Sequence, residues 1–390
     1  MKQLIQQQST QILDEAIAIR RHIHQHPELS FQEVNTSAFI QSKLDEWGIS
    51  YRAGYVETGI VALIEPPSKA EKCIALRADM DALPIEEEND VPYKSQNKGV
   101  MHACGHDVHT AILLATAKIL QENKEQLSCT IKLIFQPAEE KLPGGANLMI
   151  KAGVLNNPKV DEIYALHVFP ELEVGKVGFK SGMYMASCDE IYLTVKGKGG
   201  HAAMPHQNID PIAISAQLIT GLQQIVSRKC PPQIPSVLSF GRIEGLGATN
   251  IIPSKVEIQG TFRTMNEEWR IQAHRLIEQQ CKGIVEAMEG TVELEIRKGY
   301  PYLENDPELT EKAKNKAILQ LGENNVIDLP IRLTGEDFAY YSLEVPATFI
   351  RIGVRNETKG IIHPVHHPQF NIDEKAMTTG IQTLLCQILT

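Results

Sequence analysis

The segment Met101-His-Ala-Cys-Gly-His-Asp-Val-His109 holds four side chains able to ligate a metal: His102, Cys104, His106 and His109. Cys104 and His106 are two residues apart, so on a tight turn they could converge on one ion, and thiolate with imidazole suits zinc and its transition-series neighbours. A polar loop capping a helix would use similar residues, so the cluster alone is not decisive. Phe135-Gln-Pro-Ala-Glu-Glu140 follows the apolar run TIKLIF. Adjacent carboxylates repel, so a buried pair needs a compensating cation, with one carboxylate binding it while the other relays a proton. A solvated acidic turn is the plainer alternative. Asp79 and Asp81 close the run beginning at Ala75, His167 closes Tyr164-Ala-Leu-His, and His363, His366 and His367 cluster near the C-terminus. Each of these has an ordinary structural explanation when taken singly. Together they put Cys, His and carboxylate at several candidate strand ends, which in a parallel sheet share one edge, where ligands bind.

Helical patterns over 9–26 and 33–47, the second closing at Trp47-Gly48, precede apolar runs of strand length at 59–65, 73–77 and 129–135. A helix is expected over 110–121, a helical stretch at 146–152 and a further strand at 162–166. Alternating helices and nearly continuous apolar strands predict an α/β layer whose sheet is covered by helices on both faces. The pattern changes near residue 184. A strand at 191–195 leads to a helix over 210–228 that opens Asp-Pro, then strands at 236–243 and 255–263, a helix at 267–289 and a strand at 291–297. That order is an α+β unit of the ferredoxin-like kind. Helices and a short strand at 348–352 return afterwards. The expectation is a catalytic domain of residues 1–183 and 299–390 interrupted by an inserted domain of residues 184–298.

The chain has 390 residues, 43% hydrophobic and 22% charged, an ordinary globular composition for about two domains. Lys and Arg total 38 against 48 Asp and Glu, a formal charge of −10, which argues against nucleic-acid binding. No apolar stretch approaches the ~20 residues of a membrane helix, and the first residues are too polar for a signal peptide. Seven scattered cysteines fit a reduced, cytoplasmic chain. Cys73, Cys129 and Cys386 lie in apolar runs and read as core residues; His22, His24 and His26 read as surface or packing residues. Gly197-Lys-Gly-Gly200 lacks the Ser/Thr and spacing of a phosphate loop, and Ser187, Ser236 and Ser239 lack the context of a serine nucleophile.

The segments RRHIHQHPELSFQE, ALRADMDALPI, MHACGHDVHTA, FQPAEE, ALHV, GKGGHAAMPH, TNIIP, GTFRT, TGEDFAYY and HHPQF span residues 20 to 373. In content and order they resemble the dinuclear-metal family of aminoacylases and carboxypeptidases, in the branch of hippurate hydrolases, indole-acetyl-amino-acid hydrolases and N-acetyl-diaminopimelate deacetylases. The resemblance implies two divalent ions per subunit, manganese or zinc, held by Cys104, His106, Glu140, His167 and His366. It makes Glu139 the general base, puts Asp81 behind the ligands, gives His201 the scissile carbonyl, and assigns the substrate carboxylate to Asn250 and Arg263. It implies hydrolysis of N-acyl amino acids, a small-molecule substrate, and a homodimer formed through an inserted lid, with His201 serving the partner's site. What Lys141, Leu142 and Pro143 do after PAEE is left open. Amide hydrolysis needs an activated water, a polarised carbonyl and a proton for the leaving nitrogen, and these residue types supply all three. The competing readings are a dipeptidase or carboxypeptidase of the same family, a non-catalytic metal-binding scaffold and a dinuclear phosphoesterase. Glu139 as a retained carboxylate speaks against the scaffold, and the absence of a basic phosphate clamp against the phosphoesterase.

Overall fold

The computed structural model describes residues 1–389. The chain runs α1 (Lys2–Gln11), α2 (Leu13–Gln25), α3 (Val34–Glu46), β1 (Ser50–Tyr55), β2 (Gly59–Ile64), β3 (Cys73–Asp79), α4 (His106–Glu122), β4 (Thr130–Gln136), α5 (Gly145–Lys151), β5 (Glu162–Glu173), β6 (Val177–Phe179) and β7 (Gly182–Met185). It continues through β8 (Asp189–Lys196), β9 (Gly200–His201), α6 (Pro211–Gln224), β10 (Ser236–Glu244), β11 (Ile251–Ile252), β12 (Lys255–Thr264), α7 (Glu267–Ala287) and β13 (Thr291–Lys298). The last elements are β14 (Leu303–Asn305), α8 (Pro307–Leu321), β15 (Val326–Asp328), α9 (Ala339–Ser342), β16 (Ala347–Arg355) and α10 (Ala376–Leu389). Two compact units result: residues 1–182, 304–331 and 337–390, and residues 183–303 with 332–336.

The first unit is built on one eight-stranded sheet in the order β1-β2-β4-β3-β5-β16-β6-β15. Its centre, β4-β3-β5-β16, is parallel; β1 pairs antiparallel with β2, β2 with β4 and β6 with β16, and β15 pairs parallel with β6. Every residue of β3 and β4 is buried, which requires cover on both faces, as the continuous apolar runs predict. The helix α4 is buried along nearly its whole length and packs on β3 and β5. Cys73, Cys129 and Cys386 are buried, in line with their apolar settings.

Three local differences have physical causes. The helix expected over 9–26 is two helices, divided at Ile12, whose side chain is buried with Ile5, Ala16, Ile19 and Ile23. The strand β1 carries Ser, Arg and Tyr on a half-exposed sheet edge, so it lacks the apolar signal that marks its neighbours. The strand β5 runs past His167 to Glu173, because β16 pairs with it in parallel from Ile163 through Phe169. His167 therefore lies inside a strand rather than at its end.

In the second unit the order β10-β12-β8-β13 is antiparallel throughout, which with α6 and α7 is the ferredoxin-like arrangement. Alternate residues of β8 are buried, so one sheet face meets the helices and the other meets solvent. Asp210 caps α6 by accepting from the Ile212 and Ala213 N–H groups, with Pro211 in the first turn. Leu218, Leu222, Ile258, Trp269 and Ala273 share the core. Leu218→Ala should cost about 2–5 kcal/mol by leaving a cavity among them. The check is the urea midpoint read from Trp269 fluorescence in a Trp47→Phe background; an unchanged midpoint would contradict this packing.

Candidate metal centre

The parallel register sets the site. Asp79, the last residue of β3, pairs with Gln136, the last of β4, so the segments that follow both strands leave from the same edge. Asp81 lies just beyond one, and Glu139 and Glu140 just beyond the other. Cys104 sits on the turn before α4, where Gly105 caps the helix at φ 87 and a side chain would meet Val168 of β5 at 2.6 Å. Only glycine lets that turn approach the strand so closely. His366 has φ 65, and its N–H donates to the Ala103 carbonyl at 2.7 Å, which ties the C-terminal loop to the same turn.

Cys104, His106 and His167 present ligand atoms within 4.8 Å of one another, as do Cys104, Glu140 and His366, and His106, Glu139 and Glu140. His167 Nδ1 lies 2.7 Å from the Val168 carbonyl, so that nitrogen carries the proton and Nε2 keeps its lone pair, 3.5 Å from Cys104 Sγ. His106 is oriented in the same sense by Asp81 Oδ1, 3.1 Å from Nδ1; among the described residues its buried Nε2 has no hydrogen-bond partner. His366 Nε2 is 3.2 Å from Glu140 Oε1. Asp81 does more than orient a ring. It accepts from Ser30 Oγ at 2.6 Å and from the backbone N–H groups of Glu139 and Glu140 at 3.1 and 3.0 Å.

The electrostatics ask for a cation. Burial opposes protonation of His106, yet the carboxylates of Asp79 and Asp81 overcome it and hold the imidazole up at about 10. Burial together with Glu140 and Glu139 pushes the Cys104 thiol well above its usual range. Divalent ions would reverse both trends by offering a positive charge to thiolate and imidazole. Soft sulfur, imidazole nitrogen and carboxylate oxygen with an orphaned lone pair among them fit transition-metal ions.

Other sequence candidates fall outside this set. His109 comes near Asp79 and His106, but Asp79 Oδ1 accepts from Nδ1 at 2.6 Å and the Val168 N–H donates to Nε2 at 2.9 Å, so both nitrogens are engaged. His102 is buried and held neutral, its pKa lowered to about 4 by burial, and it joins none of the ligand groups. His363 and His367 stack on each other with ring centroids 4.3 Å apart. His24 is a packing residue: it is buried and bonded to Asp107 at 2.8 Å.

Supporting residues emerge that sequence reasoning gave no role. Arg77, Gln136 and Asp337 form a buried network beneath the Glu139-Glu140 turn. Glu33 accepts from the Ala138 N–H at 2.9 Å and from Thr58 Oγ1 at 2.9 Å, and burial with the nearby Asp81 raises its carboxyl to about 7. Polar residues inside otherwise apolar strands, Arg77 above all, were the available signal.

The remaining candidates lie in the second unit. His201 on β9 pairs with Ile251 on β11, and the Asn250 carbonyl accepts from the Ala202 N–H at 3.0 Å, so His201 and Asn250 are neighbours. The Ala203 N–H donates to His201 Nδ1 at 3.1 Å, which leaves the proton on Nε2. Arg263 lies near the end of β12, opposite Val237, and its charge partly offsets the effect of burial on the Cys188 thiol.

Residues 75–390 match the Peptidase family M20/M25/M40. The chain is 44% identical over 364 residues to N-acetyl-L-cysteine deacetylase of Bacillus subtilis, covering 93% of this chain and 84% of that protein. It is 40% identical over 373 residues to thermostable carboxypeptidase 1 of Saccharolobus solfataricus, covering 95% and 93%. A crystal structure from Bacillus subtilis, described as a dinuclear metal-binding peptidase of the M20 family, superposes with a TM-score of 0.83 at 35% identity over 97% of each chain. With a matched region of that extent and relatives this similar along nearly the whole chain, the protein belongs to peptidase family M20/M25/M40.

Proposed function

We propose that the protein is a metal-dependent amidohydrolase that cleaves the amide bond of N-acyl amino acids. The observation that carries this is the convergence of Cys104, His106, Glu140, His167 and His366 in overlapping groups, with Glu139 beside them and buried. The similarity to a deacetylase of N-acetyl-L-cysteine supports the substrate class, with acetyl, benzoyl or related acyl groups on the amino acid. Similarity to a carboxypeptidase supports a second reading, hydrolysis of a peptide bond next to a free carboxylate by the same groups.

The five ligand residues hold divalent ions, two per subunit by likeness to the dinuclear neighbour, with the thiolate favouring zinc and the nitrogen and oxygen donors accommodating manganese. When bound, the ions supply the Lewis acidity that makes water nucleophilic at neutral pH. Glu139 accepts the proton of the attacking water as its oxygen bonds to the acyl carbon, and returns that proton to the amine nitrogen as the carbon–nitrogen bond breaks. His201, protonated on Nε2, donates to the developing oxyanion. Arg263 pairs bidentately with the substrate's carboxylate, aided by Asn250. Asp81 acts through others, fixing the His106 ring and the two peptide groups that carry Glu139 and Glu140.

Edge strands β10 and β13 leave backbone groups available for pairing, and a two-fold homodimer through an edge of this sheet closes that surface. In such a dimer His201 serves the partner's site. All seven cysteines are free thiols, which supports a reducing, cytoplasmic setting. Among the described residues no helix is long and apolar enough to cross a membrane.

Turnover of N-acetyl, benzoyl and indole-acetyl amino acids beside dipeptides, with manganese or zinc supplied, tests the reaction; hydrolysis of none of them would defeat it. Glu139→Gln should lower kcat by ~10²–10⁴ with metal still bound, because the amide has the carboxylate's shape and no basicity. Glu140→Gln should lose metal by elemental analysis; the opposite pairing would mean the two roles are exchanged. Asp81→Asn should weaken metal affinity about 10–100-fold in chelator competition, since the orienting charge behind His106 is gone. Co-expressed His201→Ala and Glu139→Gln chains should recover activity that neither homodimer has, because one site of the mixed dimer is complete. A mixture no faster than its parents, or a monomer in sedimentation, would remove the shared-site assignment and leave the metal centre standing.

A further inference from the structure

Residues 137–144 carry Glu139 and Glu140 between β4 and α5 without regular secondary structure, and Ala138 within them has φ 52. Such a segment owes its position to the groups that hold it. Asp337, fully buried, reaches both of its ends. Its carboxylate accepts from Gln136 Nε2 at 2.9 and 2.8 Å at the end of β4, and from the Ala146 N–H at 3.0 Å in the first turn of α5. The ends are close already: the Gly145 N–H donates to the Ala138 carbonyl at 2.9 Å, and a side chain on Gly145 would strike the Pro137 carbonyl at 1.7 Å. The Asp337 N–H faces Glu139 Oε1 at 3.4 Å, a long contact that restricts where the carboxylate can sit.

Arg77 completes the arrangement. Its guanidinium donates through Nη2 to Asp337 Oδ1 at 2.8 Å, through Nε to Gln136 Oε1 at 2.9 Å and through Nη1 to Asp79 Oδ2 at 2.6 Å. One planar fork thus ties the ends of β3 and β4 to Asp337, a geometry lysine lacks. Asp81 and Glu33 hold different parts of the same segment, the N–H groups of Glu139 and Glu140 and that of Ala138.

We propose that Asp337, with Arg77 and Gln136, is the positioning group for the general base: it closes the 137–144 loop from both ends and sets the Glu139 carboxylate. This rests on the reading of Glu139 as the base. Because Asp81 holds the peptide groups of Glu139 and Glu140 independently, loss of the Asp337 carboxylate loosens the two ends of the loop, and with them the Glu139 carboxylate, while the metal ligands stay in place. The consequence is a defect in turnover rather than in binding.

The test uses the full-length, metal-loaded enzyme with an N-acetyl amino acid it hydrolyses. Asp337→Ala should lower kcat about 10–100-fold while KM stays within about twofold and metal content matches wild type. Asp337→Asn, which retains an acceptor for one end of the loop, should recover part of that loss. Should Asp337→Ala fold poorly, Gln136→Met removes the tie to β4 without stranding Asp337's charge, and should lower kcat severalfold at unchanged metal content. A folded Asp337→Ala or Gln136→Met enzyme with wild-type kcat would overturn the proposal. So would losses of kcat, metal and folded protein in equal proportion, which mark a purely structural role. Glu139→Gln run alongside separates the two failures: if it remains active the base is misassigned, whereas an inactive Glu139→Gln beside a fully active Asp337→Ala sinks only the brace.

Discussion

Negative charge gathered at one end of a buried parallel sheet is the condition to which the rest of the first unit is fitted. Asp79, Asp81, Glu139 and Asp337 are all buried there, and Glu33 stands behind the Glu139 turn. Removing a single carboxylate from water costs several kcal/mol unless its lone pairs and charge are answered. The answers are specific. Arg77 pairs with Asp79 and Asp337, backbone N–H groups face Asp81, Glu33 and Asp337, and histidine rings take what remains of Asp79 and Asp81. What is not neutralised by protein lies toward Cys104, His106, Glu140 and His167. A divalent cation belongs there on electrostatic grounds before any catalytic role is considered.

Hydrogen bonds then decide which of several similar histidines can serve. Four lie in or beside the cluster between residues 102 and 167, and their types alone do not distinguish them. His106 and His167 each have Nδ1 engaged, by a carboxylate in one case and a carbonyl in the other, so each presents Nε2. His109 has both nitrogens committed and braces β3 against β5 instead. In the second unit His201 has the complementary state, with Nδ1 accepting, which suits a donor rather than a ligand. Tautomer, set by local partners, separates rings that present a bare Nε2, a ring with both nitrogens engaged, and one that presents Nε2–H.

Much of this was visible in the sequence. Continuous apolar runs at β3 and β4 marked strands buried on both faces, and the Cys-Gly-His and Ala-Glu-Glu segments flanking them marked the edge where chemistry gathers. The strand–helix–strand–strand–helix–strand order of the second unit was legible because its periods are clean. Elements stabilised by distant partners were not: β1 is polar and edge-bound, and the length of β5 depends on β16, far along the chain. Arg77, Gln136 and Asp337 escaped for a related reason. Each is unremarkable in its own segment, and their joint meaning appears only when residues separated by 201 and 260 positions in sequence are brought within hydrogen-bond reach.

The second unit is not one continuous piece of chain. Residues 332–336 belong to it, with Arg332 bridged to Met185, donating its N–H to the Tyr184 carbonyl at 2.8 Å and accepting from the Ala186 N–H at 3.1 Å. Gly335 approaches Cys188 so closely that a side chain there would meet its sulfur at 2.8 Å. The polypeptide therefore passes between the units four times, not the two times of a simple insertion. A fragment excised at 183 and 303 would carry an open seam along Tyr184–Ala186, and a chimera exchanging only that fragment between relatives would pair one parent's seam with the other's return segment. For protein dissection and domain grafting, the natural unit of exchange is two segments cut together.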